Sequence, residues 1–391
     1  MLNTPFSPWP SFSQQEADAV SRVLLSNKVN YWTGNECREF EKEFADWSHS
    51  AHAIALSNGT VALDLALKVL DIGVGDEVIV TPRTFLASVS AIVTAGAIPI
   101  FADVDRDSQN ITPETVAKVI TPRTKAVIAV HLAGWPCDMD GLMALAEQHQ
   151  FVVIEDCAQA HGALWHGKAV GSLGHAAAWS FCQDKIMTTG GEGGMLTTND
   201  EALWSQAWSY KDHGKSFDAV YRRTHPEGYR WLHESFGTNW RMIEMQGVIG
   251  RIQLQLMPEW HQARKANAAA ILAACAESSA LRVPQVPSEI EHAWYRAYAF
   301  VRPEQLKSGW TRDRIMSEIV ARGVPCFSGS CSEVYLEKAF DGTDWRPTER
   351  LPVARELGET SLMFLTHPTL TSQEIEKTCQ VVREVMSDAQ D

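Results

Sequence analysis

The chain has 391 residues, 45% of them hydrophobic and 21% charged, an ordinary globular composition whose length predicts two domains, or a large one with a smaller appendage. A net charge of −14 with scattered basic residues argues against nucleic acid as the main partner. No apolar run approaches the ~18 residues that span a membrane, residues 1–6 carry no export signal, and the eight cysteines show neither CxxC pairs nor zinc spacing, so free thiols (Cys326 and Cys331 included), no metal and a cytoplasmic location are expected.

The chain opens with an irregular arm, followed by helical spacing over residues 14–25 and 39–47. Between these helices Tyr31-Trp32-Thr33-Gly34 reads as a turn with two exposed aromatics, either packed or at the mouth of a pocket. A short apolar strand then runs into Ser57-Asn58-Gly59-Thr60 and a helix starts at once. Such a junction offers free backbone N–H groups to a phosphate, although on this stretch alone Thr60 reads first as an N-cap. Next, β-branched strands (77–80, 98–101, 125–130, 151–154) alternate with helices (85–95, 113–119, 139–149). Near-continuous apolar strands in that alternation predict a mostly parallel sheet covered on both faces, with ligands beyond the carboxyl ends of the strands. Thr84 and Phe85, His131, and Asp156 with Gln159 stand at such ends. Asp156 follows four apolar residues, so its carboxylate needs a positive partner or a set of donors there, unless it caps a following helix.

The stretch from Trp179 to Gly194 holds Ser180, a lysine five positions later, and then Gly190, Gly191, Gly193 and Gly194. Apolar flanks and a glycine-rich turn suggest a dry site in which Lys185 loses its proton readily and attacks a carbonyl. Beyond it the pattern turns helical over 201–211, passes through a polar loop with Arg222-Arg223, and continues as a long helix from about residue 240 past Pro258. Residues 259–391 have the mixed pattern of a small α+β domain, with a strand at 297–301 and helices at 312–321 and 372–386, leaving 1–258 as the large domain. There is no internal repeat, and the fourteen dispersed tryptophans suit packing.

A lysine in a dry site, a phosphate cradle at a helix start and a strand-end aspartate together imply pyridoxal 5′-phosphate. Lys185 would hold its aldehyde as an imine, and Gly59, Thr60 and Ser180 its phosphate. Asp156 would keep its pyridine nitrogen protonated, and Phe85 would stack on the ring. No GxGxxG follows the first strand, which disfavours an ordinary dinucleotide-binding enzyme.

Those motifs, with Gly75-Asp76-Glu77-Val78, Glu155-Asp156-Cys157-Ala158-Gln159-Ala160, Gly191-Glu192-Gly193-Gly194 and Asn239-Trp240-Arg241-Met242, resemble the DegT/DnrJ/EryC1/StrS sugar aminotransferases, fold-type I pyridoxal-phosphate enzymes. The resemblance covers at least residues 31–254. It implies transfer of an amino group from glutamate to a keto-sugar, a nucleotide-linked 3- or 4-keto-deoxysugar, in cell-surface polysaccharide or amino-sugar biosynthesis. It further implies that Gln159 approaches the cofactor ring or its 3′-oxygen. Asn239 would reach the phosphate of a neighbouring subunit, making the active unit a homodimer with shared sites. Cys157, Trp240 and the Gln183-Asp184 pair depart from the usual pattern, as does the Arg-bearing loop at 215–236. Dehydratases on this fold carry histidine in place of the lysine, and a ligand-sensing regulator is the non-enzymatic alternative. Candidates for sugar or nucleotide contacts are Tyr31, Trp32, His131, His213 and Arg241, although each reads first as a structural residue. The resemblance retains Glu192 without giving it a role.

Overall fold

The computed structural model describes residues 5–390, so residues 1–4 of the arm and Asp391 lie outside it. Its centre is a seven-stranded sheet in the spatial order His52–Leu56, Gly194–Thr198, Ala176–Ser180, Val152–Asp156, Thr124–Val130, Glu77–Val80, Ile98–Phe101. Gly194–Thr198 is antiparallel to both neighbours, and the six others share one direction. The near-continuous apolar strands are explained by burial on both faces. On Thr124–Val130, Ala126, Ile128 and Val130 enter one core with the helix Gly59–Val69, while Val127 and Ala129 enter another with the helix Met139–His149. Burying a side chain such as Ile128 contributes roughly 1.5–3 kcal/mol.

Observed bounds follow the expected ones closely, as at Gln14–Leu25, Met139–His149 and Arg312–Ala321. Two differences affect the site. Gly194–Thr198, where the sequence reading places no element, is a buried strand, so Lys185 lies on the connection between two paired strands. The loop after Lys211 also contains a short helix, Phe217–Tyr221.

The 33-residue helix Glu244–Ala276 carries Pro258 within it and leads to a second, antiparallel sheet in the order Leu281–Arg282, Arg296–Val301, Ser361–Leu365, Cys326–Phe327. The helices Arg312–Ala321 and Ser372–Ala389 share its core, and Phe6 of the arm packs against that core. All eight cysteines are free. Among the described residues no helix is long and apolar enough to cross a membrane.

Candidate active site

The strand ends that point one way open into a cavity of about 720 Å³, within the size range of small-molecule sites. Its wall joins Gly59, Thr60, Phe85, Asp156, Gln159, Ser180 and Lys185. Asn239 is not in this wall: it stands exposed, its backbone bridged to Asp212.

At the helix start expected to cradle a phosphate the cap is Asn58, whose side chain accepts from Val61 N at 3.0 Å. Thr60 is therefore no cap. It is exposed on the cavity wall, and the first-turn N–H groups of Gly59 and Thr60 have no intrahelical partner. The loop is held from behind, since Ser57 N donates to Trp240 O at 2.9 Å. Glycine is required at position 59 by proximity: a Cβ there would lie 2.5 Å from Ser180 Cβ and 2.9 Å from Ser180 Cα. This brings the Ser180 hydroxyl beside the helix start.

Asp156 ends its strand almost fully buried, and among the described residues no cation lies within ion-pair distance of it. Its stability comes from donors. Ser88 Oγ donates to Oδ2 at 2.8 Å, Ala158 N donates to Oδ1 at 3.1 Å, and Thr84 Oγ1 lies 2.9 Å from Ser88 Oγ. No helix starts after Asp156, so it caps none. Gln159 accepts from Ala133 N at 2.7 Å, which fixes its amide in the wall. Phe85 presents its ring at 72% exposure.

Lys185 sits in a bend of the hairpin that Gly191 closes at φ +118°, a conformation that favours glycine. Gln253 steadies the hairpin by accepting from Thr188 N at 2.8 Å. Nζ lies 3.9 Å from Asp184 Oδ1 and 5.3 Å from the centre of the Tyr295 ring, and Tyr295 OH donates to Asp184. The expectation that this lysine loses its proton readily is corrected here. Burial pushes its pKa down, but Tyr295, Asp184 and Asp156 outweigh burial, and the net displacement is upward. Burial acts to raise the Asp184 pKa, yet Lys185, the Tyr295 hydroxyl and Arg296 hold it below the usual carboxylate range. Glu192 lines the mouth, exposed, with Cys182 Sγ 3.8 Å from its carboxylate.

The candidate sugar-contact residues lie outside this cavity wall. Tyr31 is buried and its hydroxyl donates to Glu41 at 3.0 Å, so the turn it occupies is a packed one. Trp32 and Arg241 both donate to the buried carboxylate of Asp212, at 2.6 Å each. Lys211 pairs with Glu41 at 2.9 Å. Together these contacts fasten the chain around His213 and Asn239, which are themselves exposed. His131 is fully buried: Nδ1 accepts from Cys137 N at 2.9 Å, leaving Nε2–H to donate to Glu155 at 3.0 Å. Glu155 also accepts from the backbone N–H groups of Gly171, Leu173 and Gly174. His131, Glu155 and Cys157 lie close enough to hold a metal ion. Donors already saturate the carboxylate and occupy the imidazole, and burial pushes the Cys157 thiol well above its usual pKa, so the cluster reads as a hydrogen-bonded core.

The site fits pyridoxal 5′-phosphate: a helix start with free N–H groups that a Cβ would block, an oriented carboxylate, and a lysine, all on the wall of one cavity. The DegT/DnrJ/EryC1/StrS aminotransferase family model matches residues 10–383. An aminotransferase from Psychrobacter cryohalolentis has a similar solved structure, at 64% identity and TM-score 0.98, over 98% of this chain and 100% of that one. GDP-perosamine synthase of Caulobacter vibrioides is 36% identical over 96% of this chain and 97% of its own. The UDP-N-acetyl-3-dehydro-alpha-D-glucosamine 3-aminotransferase of Acidithiobacillus ferrooxidans is 35% identical over 94% and 92%. The chain belongs to the DegT/DnrJ/EryC1/StrS family and is a fold-type I, pyridoxal-phosphate-dependent aminotransferase.

Proposed function

We propose that the enzyme transfers the amino group of glutamate to a nucleotide-linked 3- or 4-keto-deoxysugar, supplying an amino sugar for cell-surface polysaccharide. The observation that carries the reading is the convergence of Lys185, Asp156 and the Gly59–Thr60 helix start on one cavity. When bound, the cofactor supplies an aldehyde that takes up the amino group and a ring that accepts electrons from the donor's α-carbon.

The chain's own residues do the rest. Backbone N–H groups of Gly59 and Thr60, with the Ser180 hydroxyl, bind the phosphate. Asp156, oriented by Ser88 and the Ala158 N–H, holds the proton on the pyridine nitrogen. Phe85 covers one ring face and Gln159 approaches the ring from the side of Ala133. Lys185 Nζ is the general base, moving the proton off the donor's α-carbon. Asp184 and Tyr295 favour the protonated lysine that this step produces.

The active unit in this reading is a homodimer in which Asn239 serves the neighbouring site. Support comes from its exposure outside its own cavity, and from Tyr229, Trp231 and Phe236, which are 73%, 80% and 100% exposed on the adjacent segment. The eight unpaired cysteines suit a cytoplasmic location. A division into residues 1–258 and 259–391 falls within the helix Glu244–Ala276. The two curated relatives named above act on GDP- and UDP-linked sugars by their names. The test is therefore a panel of 3-keto and 4-keto sugars on several nucleotides, assayed with glutamate. Amination of one of them supports the reading; amination of none, with turnover of simple keto acids instead, contradicts it.

A further inference from the structure

Lys185 rises from the large sheet, but the groups that grip it come from distant parts of the chain. Lys185 lies in a bend, where no helix or strand ladder supplies its carbonyl with a partner. Trp9 of the N-terminal arm fills that need, its indole Nε1–H donating to Lys185 O at 2.8 Å.

The indole is itself held on several sides. Trp260 meets it edge-on at 5.1 Å between ring centres, His367 stacks at 6.0 Å with 19° between planes, and the Arg264 guanidinium lies 5.1 Å from the ring centre. Arg264 is fully buried, and its three nitrogens have no hydrogen-bond partner among the described residues. The electron-rich indole face is thus a favourable surface for a cation that has left water. The arm ahead of Trp9 is tied to the C-terminal part of the chain. Ser7 donates through N and Oγ to the Glu374 carboxylate, and Thr369 Oγ1 donates to Pro8 O at 2.8 Å. The other flank of the lysine has the same origin: Tyr295 binds Asp184, and the Thr366 hydroxyl donates to the carbonyl oxygens of Trp294 and Tyr295.

We infer that Trp9 is a positioning residue for Lys185, its indole N–H fixing the lysine backbone in register with the C-terminal part of the chain and so setting where Nζ reaches in the cavity. The inference rests on the reading of Lys185 as the amino-transfer lysine. A lysine side chain has four rotatable bonds, so an unfixed Cα would spread Nζ over a wide arc. Displacements of about 1 Å at a reacting atom cost turnover without weakening substrate binding.

Trp9→Phe keeps an aromatic ring for the stack and the guanidinium contact but removes the donor. In the full-length, cofactor-loaded enzyme, kcat should fall about fivefold, the equivalent of one net hydrogen bond, with KM for glutamate unchanged. The pH midpoint of the visible absorbance of the lysine-bound cofactor should move, while the melting temperature of the cofactor-free protein stays near wild type. Thr369→Val, which removes the hydroxyl that holds Pro8 and the stacked His367 ring but keeps the Trp9 indole donor, should move kcat and the midpoint in the same direction by less. A Trp9→Phe enzyme with wild-type kcat and midpoint overturns the inference, as does one that only melts lower with its midpoint in place. Lys185→Ala separates this failure from the other. If that variant keeps the visible band and turnover, the reading of Lys185 fails; if it loses both while Trp9→Phe is unaffected, positioning by Trp9 alone fails.

Discussion

Replacing Asp184 with asparagine should make the Lys185 ammonium easier to deprotonate. Nζ and Oδ1 are 3.9 Å apart. At that separation unit charges attract by about 4 kcal/mol at an effective dielectric constant of about 20, and by about 1 kcal/mol in water. The Asp184 side chain is 49% exposed, so the lower figure applies. One kcal/mol corresponds to a fall of roughly 0.7 in pKa. The sign follows from charge: removing an anion beside a cation disfavours the cation, and the lysine pKa drops from its raised position. An asparagine oxygen still accepts from Tyr295, so the local geometry is retained. The neutral amine is the attacking form, so the rate at which cofactor-free protein takes up pyridoxal 5′-phosphate, followed by growth of the visible band against pH, reports the Lys185 titration. The Asp184→Asn profile should lie at lower pH than wild type. An unmoved or upward-shifted profile would refute the assignment of Asp184 as one of the groups that hold the proton on Lys185.

Gly59→Ala places a Cβ against Ser180 and should weaken cofactor affinity about tenfold or more, ~1.4 kcal/mol, in an absorbance titration. Ser88→Ala removes a hydrogen bond to a buried carboxylate, worth about 1.5–3 kcal/mol, and should lower kcat with little change in KM. Lys211→Met strands Glu41 in the interior, where the Lys211 side chain is 0% and that of Glu41 11% exposed. Urea unfolding should show a loss of about 3–5 kcal/mol. Asn239→Ala and Lys185→Ala subunits, each inactive as homodimers, should regain activity when mixed and refolded together, because one site of the mixed dimer then has both residues; no recovery would count against shared sites.

What the sequence disclosed was local. Strands 125–130 and 151–154 were legible because burial on both faces makes them nearly continuous apolar runs, and Lys185 and Asp156 stood out as charged groups beside apolar residues. The strand Gly194–Thr198 was not legible, since five residues between a glycine turn and a helix leave no period to read. Long-range partners were invisible for a different reason. Ser88 lies 68 residues from Asp156, Tyr295 111 residues from Asp184, and Trp9 176 residues from Lys185, and only folding makes each pair adjacent. The proton affinity of Lys185 was misjudged on the same account, because the apolar flanks are local and the opposing charges mostly are not. Tyr31, Trp32, His131 and Arg241 have the chemistry of ligand contacts. Glu41, Asp212 and Glu155 consume that chemistry inside the protein.

The most direct test of the account is one spectrum, taken on the cofactor-loaded enzyme before and after glutamate, with Lys185→Ala alongside. Amino transfer through Lys185 gives a visible band in the wild type that glutamate converts to a near-ultraviolet one, and no lysine-bound band in the variant. A wild-type band that glutamate leaves unchanged, or a Lys185→Ala protein that turns over normally, would contradict amino transfer through Lys185.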